Sequence, residues 1–299
     1  MESQASRMAN PTQELIDAIK NIPDDCRDAK YAFAAYEFIK FVSGFEVREY
    51  MFADFPIVAG CPSERRLEWL AASLYVLRNE AVMPDLCRRL RERNIRSTYF
   101  EISASCFCRE IGFSVMPSPG IPKRGLDYDF SIQIDPIVST GPLSQSEKVN
   151  VEVTELQSLA FDTKRVVSSL NAKRRQLPTD APNMIFCKIP YDWPGISLDI
   201  KTDLNEVSKR FFRTSKRVNV IVLMRETWQP SSNTYFVHYI SNISNNVRHR
   251  SERLTICLSE YFRMLAKTSQ AASESPANNQ DYPRFRLRDF SAWVDSIIP

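Results

Sequence analysis

"VNVEVTELQ" (149–157) sets Val149, Val151 and Val153 in alternation with Asn150, Glu152 and Thr154. That is the period of a strand with one apolar and one polar face. Just upstream, "GLDYDFSIQI" (125–134) has the same period. Tyr128, Phe130, Ile132 and Ile134 fall on one side, and Asp127, Asp129, Ser131 and Gln133 on the other. A single loop separates the two strands, which makes antiparallel neighbours the expectation. Asp129 and Glu152 would then project from one sheet face. Carboxylates gathered in this way repel, and a hard divalent cation is the natural remedy.

Outward from this hairpin the pattern alternates. Upstream lies a short strand, "FSVM", preceded by a helix over about 98–111 that stops near Gly112, a suitable C-terminal residue. Phe100, Ala104, Phe107 and Ile111 form that helix's apolar face, and Glu101, Ser105 and Cys108 a neighbouring stripe. Thr98-Tyr99-Phe100-Glu101 also fits a capping box, in which Glu101 would bond back to the backbone of Thr98. Downstream come a helix over about 162–177, the strand "NMIFCKI", a helix around "NEVSKRFFRTS", the strands "VNVIVLM" and "TYFVHYI", and the helix "SERLTICLSEYFRML". Strands alternating with helices after an initial hairpin predict an α/β domain with a mixed central sheet flanked by helices.

The periodicity divides the chain into four stretches. Residues 1–10 read as disordered and 11–96 as a helical N-terminal region. Residues 97–270 form the α/β core, and 271–299 a polar linker with a terminal helix. Only 7 glycines occur against 18 prolines in 299 residues, and neither a phosphate-binding glycine loop nor a dinucleotide fingerprint is present. The 7 cysteines are scattered without a CxxC pair, and the histidines number 2, which argues against a structural zinc site or a hydrolytic triad. A polar start without an apolar core and the lack of a bilayer-length apolar run predict a cytoplasmic protein that does not enter membranes. A net charge of +3 decides nothing about nucleic acid, because local patches matter more than the total.

The order of elements resembles the PD-(D/E)XK superfamily, the restriction-endonuclease-like nucleases. The residues that carry the likeness are "FEISASCFCREIGFSV", "GLDYDF" and "VNVEVTEL", within about 98–190. The resemblance implies a restriction-endonuclease-like core and Mg²⁺-dependent hydrolysis of a nucleic-acid phosphodiester, with DNA ranked ahead of RNA. It matches Glu101 to the helix glutamate, Asp129 to the hairpin aspartate and Glu152 to the acid of the (D/E)XK element. These three are the candidate catalytic and metal-binding residues, with the Val153 carbonyl as a further ligand. Thr154 stands where the family has a lysine, and a hydroxyl supplies no positive charge. Lys164, in the following helix, is the substitute expected, ahead of Lys148 on the strand itself. Lys173, Arg174 and Arg175 end that helix and are expected to contact substrate phosphates. Two readings stay open: a nuclease whose lysine has migrated, or an inactive nuclease-fold protein serving as a nucleic-acid-binding or assembly module. Oligomeric state is not readable from the sequence.

Overall fold

A computed structural model describes residues 13–21, 30–44, 63–93, 95–120, 127–136, 145–156, 160–190, 200–229, 234–274 and 285–297. The expected disorder of residues 1–10 and most of the expected polar linker lie outside the described residues. In chain order the elements are α1 (Gln13–Lys20), α2 (Lys30–Ser43), α3 (Ser63–Leu77), α4 (Met83–Glu92), α5 (Ile95–Glu110), β1 (Ser114–Pro117), β2 (Phe130–Ile134), β3 (Glu147–Glu155), α6 (Thr163–Lys173), β4 (Asn183–Ile189), α7 (Ile200–Thr214), β5 (Val220–Gln229), β6 (Thr234–Ile243), α8 (Glu252–Glu274) and α9 (Phe285–Ile297). The α/β class with a mixed, helix-flanked sheet is the one expected from the alternation of strands and helices. Helix α8 continues to Glu274, into residues that the composition marks as linker. No helix among the described residues is long and apolar enough to cross a membrane.

The chain divides into two units, one of Met1–Cys106, Thr227–Phe236 and Leu265–Pro299, the other of Phe107–Glu226 and Val237–Met264. In the first unit an aromatic cluster joins three helices. Phe38 of α2 meets Tyr75 of α3 and Phe290 and Trp293 of α9 at ring separations of 6.0, 5.7 and 5.3 Å. These edge-on contacts give the cluster a defined geometry beyond its apolar area. The buried Tyr99 and Tyr235 hydroxyls share a hydrogen bond of 2.8 Å, so neither polar tip is left unsatisfied.

The six strands run in the order β1-β2-β3-β4-β5-β6. β1, β2 and β3 pair antiparallel, whereas β3, β4 and β5 pair parallel. The parallel crossovers are α6 and α7. In the second unit both cover one sheet face: Val166 and Leu170 of α6 and Leu204, Val207 and Phe211 of α7 share a buried cluster with Ile185, Cys187, Ile189, Ile221 and Leu223. On the opposite face Phe107 packs edge-on against Phe186 at 5.6 Å and stacks on Tyr239 at 4.2 Å. α5 stops as expected at Gly112, which has φ 101°. The Phe113 amide closes that end by donating to the Cys108 carbonyl at 3.1 Å, a Schellman-type closure.

A row of buried asparagines crosses the parallel part of the sheet. The Asn150 side chain donates to Asn183 Oδ1 at 3.2 Å, and the Asn183 amide donates to Asn219 Oδ1 at 3.0 Å. Asn183 Nδ2 lies 2.9, 2.8 and 3.0 Å from the carbonyls of Pro178, Ala181 and Arg217. Asn219 Nδ2 donates to the His249 carbonyl at 2.8 Å. The carboxamide suits this position because it offers both donors and an acceptor. One residue row thereby fixes the turns that lead into β4 and β5 and the segment after β6. Asn183→Ala leaves buried carbonyls without a donor and is expected to cost about 3 kcal/mol. Urea unfolding should show a lower midpoint with an unchanged slope.

Candidate functional site

The register places Phe130 opposite Val151. Asp129, the residue before Phe130, therefore lies at the level of Glu152, the residue after Val151. β2 begins at the next residue: the Asp129 amide donates to the Val151 carbonyl at 3.1 Å, and Asp129 Oδ2 accepts from the Val153 amide at 2.7 Å. Glu152 occupies the middle of β3 and is 1 % exposed. An ionised carboxylate so deeply buried needs an opposite charge. Lys173 supplies it, with Nζ 2.6 Å from Glu152 Oε1.

Lys173 is the last residue of α6, and its ammonium is held by more than one acid. Burial disfavours its charge, but the Glu152, Asp129 and Asp127 carboxylates outweigh that penalty and raise its pKa above the usual lysine value. Gln176, just beyond the helix, donates to the Asp127 carbonyl at 3.3 Å. The end of α6 is thus tied to both sides of the hairpin. At the other end of α6 the Asp162 carboxylate caps the helix by accepting from the Arg165 amide at 3.0 Å. The two ends fix the helix's rotation and so the direction in which Lys173 reaches.

The other expected site residues are distributed differently. Lys164 is exposed in the first turn of α6, about 13 Å along the axis from Lys173. The lysine that contacts Glu152 is therefore the one expected among the substrate-contacting residues. Thr154 is half-buried and paired in register with Cys187. Lys148 is exposed. Glu101 belongs to the first unit, where its carboxylate receives Arg89 at 2.6 Å and Arg93 at 3.6 Å. The capping-box expectation for Glu101 is corrected: α5 begins at Ile95, which leaves Thr98 inside the helix rather than at its start. Arg174 and Arg175 follow Lys173 directly and line a cleft with Thr179, Lys216, Arg217 and Arg248.

A second buried charge group lies on the sheet face opposite Glu152. Lys188 of β4 is 3.0 Å from Glu226 of β5 and 3.7 Å from Glu155 of β3. By strand period Glu155 falls on the other face from Glu152, and the register pairs it with Lys188. The strand period alone shows that Lys188 shares a face with Met184 and Phe186; only the register brings the acids to it.

Asp129 and Glu152 give hard oxygen donors, and Lys173 gives a cation that holds one of them. Among the described residues no group of three or more His, Cys, Asp or Glu side chains is gathered closely enough to hold a metal ion. No family model, no curated protein and no solved structure matches the chain.

Removing the ammonium should expose the cost of the buried acid. Lys173→Met is expected to destabilise the protein by about 3 kcal/mol at neutral pH. The sign of the pH dependence follows from the raised pKa. The pair's contribution is fully present below the unfolded lysine value of 10.5 and is lost as pH rises through the higher folded value. The stability gap between wild type and Lys173→Met, measured by urea unfolding, should therefore stay constant from neutral pH to about pH 10 and close above that.

Proposed function

We propose that this protein is a Mg²⁺-dependent phosphodiesterase acting on nucleic acid, built on a PD-(D/E)XK-like plan, in which Lys173 takes the role of the lysine missing at Thr154. The observation that carries this reading is the 2.6 Å contact between Lys173 and Glu152, beside an aspartate that immediately precedes β2 at the same level of the hairpin. A cation delivered from the following helix restores the pairing of acid and ammonium that the strand itself lacks.

The residues fit Mg²⁺. This ion is usually held by one or two carboxylates, with water and substrate oxygens completing the shell. Asp129 and Glu152 supply that number, so the lack of a third acid is no obstacle. On the same face, two residues along β2, the buried Ser131 hydroxyl has no hydrogen-bond partner among the described residues and adds an oxygen suited to water. When bound, the ion would polarise the phosphodiester and make a coordinated water more acidic.

The chain's own groups do the rest. The Val153 amide fixes one oxygen of Asp129 and so sets the direction of the other. The helix α6 keeps Lys173 beside Glu152, and neighbouring carboxylates keep it protonated through the physiological range. Its charge is then available to stabilise negative charge developing on a phosphate. The reading places the protein in the cytoplasm. Cys87, Cys106, Cys108, Cys187 and Cys257 are all thiols, and free thiols belong to a reducing compartment.

A second reading is supported by the same contact. Lys173 already neutralises the acids, so the fold can persist without metal as a binding module. Cleavage assays with Mg²⁺ and Mn²⁺ on single- and double-stranded DNA and RNA distinguish the two. Metal-dependent cutting that falls at least about 100-fold in Asp129→Asn, Glu152→Gln and Lys173→Met is the expected result. Lys164→Ala should cut normally. Absence of cutting by wild type, together with silence in calorimetric metal titration, would favour the module.

A further inference from the structure

Five basic residues from three separate segments meet in one place. Arg174 and Arg175 follow α6, Lys216 and Arg217 precede β5, and Arg248 follows β6. With Thr179 they line a cleft of ≈ 420 Å³, and among the described residues no acidic side chain lines it. All of them belong to the second unit. In sequence the three segments are far apart, and only the register of β4 and β5 gathers them.

The cleft is a built feature, because backbone bonds hold its walls together. Arg174 Nη1 donates to the Thr214 carbonyl at 2.8 Å. Arg217 Nη1 donates to the carbonyls of Arg174 and Leu177 at 3.0 and 3.2 Å. The Arg248 amide donates to the Lys216 carbonyl at 2.8 Å. Asn183 and Asn219 hold the carbonyls of Arg217 and His249 from below. Two arginines thus serve as braces. The side chains of the other three, Arg175, Lys216 and Arg248, make no ion pair or hydrogen bond among the described residues and are exposed. Like charges held together repel, so their gathering carries a cost that a bound anion would remove.

We infer that this cleft binds a phosphate of a nucleic-acid strand. Four of its five cations are arginines, whose planar fork matches phosphate oxygens in pairs. A nucleic-acid backbone presents phosphates at the density such a concentration of charge requires, whereas an acidic peptide spreads its carboxylates on flexible stems. The cleft's position adds a further point, which rests on the function proposed above. Arg175 is two residues from Lys173, so their Cα atoms are within about 7.6 Å. The cleft would hold a phosphate close to the one placed at Asp129 and Glu152.

The test uses the full chain in EDTA, so that binding is read without turnover. Labelled single- and double-stranded oligonucleotides are titrated by fluorescence anisotropy over a range of salt. The variant carries Arg175→Ala, Lys216→Ala and Arg248→Ala, which spares the braces Arg174 and Arg217. Each lost phosphate contact should lower the slope of log K against log salt by about 0.7 to 0.9, so the variant's slope should fall by about 2 to 3. Lys209→Ala, on α7 and outside the cleft lining, should bind as wild type. The variant should also melt higher than wild type at low salt, and inorganic phosphate should raise the melting temperature of wild type but not of the variant. Wild-type affinity and slope in the variant would overturn the inference, as would competition by polyglutamate equal to that of an oligonucleotide of the same charge. Salt-dependent binding lost in the variant, in a protein that never cuts, upholds the cleft and removes the nuclease reading. Normal binding and cutting by the variant does the reverse.

Discussion

A buried carboxylate in the centre of β3 sets the terms for the rest of the second unit. Glu152 stands where the sheet would otherwise carry another apolar side chain beneath α6. Leaving it buried without a counter-charge would cost about 3 kcal/mol, a large share of the net stability of a domain. Lys173 answers that demand, and its reach determines how α6 must lie. The apolar residues Val166 and Leu170 then fill the space toward Ile185 and Cys187, while Asp162 and Gln176 secure the two ends of the helix segment. The ion pair contributes little as an attraction between exposed charges would. It matters because a packing of α6 that withdrew Lys173 would leave Glu152 without its counter-charge.

Most of the fold was legible in the sequence because it rests on local periodicity. The two-residue alternation in 149–154 and 128–134 located the hairpin, and the apolar runs at 183–189 and 218–224 located strands whose parallel pairing the structure then shows. Gly112 marked the end of α5 through its positive φ. The boundary that failed was the start of that helix. Thr98 looks like a cap by type, but Ile95, Arg96 and Ser97 are helical as well, and Thr98 is buried. A cap motif identifies residues able to cap; tertiary burial decides whether they do.

The candidate site was legible in part, and the missing piece had a signal. Val166, Leu170 and Leu177 form the inward row of α6 and its continuation, spaced by four and seven residues. Lys173 falls three after Leu170 and four before Leu177, on that same row. A lysine on an apolar stripe is a lysine with a buried partner. Lys164 drew attention because it stands close to Glu152 in sequence, but its position on the exposed face of the first turn removes it from the sheet. The asparagine row had no comparable local sign, and of the basic cleft only Arg174 and Arg175 stood out in sequence. Asn150, Asn183 and Asn219 sit in or beside three different strands, and their alignment depends on register, which no single segment encodes.

The same row explains why the acids and the cleft can coexist in one small region. Asn150 and Glu152 are two residues apart on one face of β3, about 6.6 Å. Toward the Glu152 side, negative charge is balanced internally by Lys173. Toward the Asn150 side, the polar row hands its hydrogen bonds to carbonyls of Arg217 and His249, and the basic side chains beyond it remain open to water. Neutral carboxamides thus separate an acidic centre from a cationic rim while fixing the distance between them. Merging the two would quench both, as arginines collapsed onto Asp129 and Glu152. Held apart by uncharged side chains, the rim and the acids keep their own charges, and on the proposed reading the rim would draw a phosphate chain by its field while Lys173 stays with Glu152.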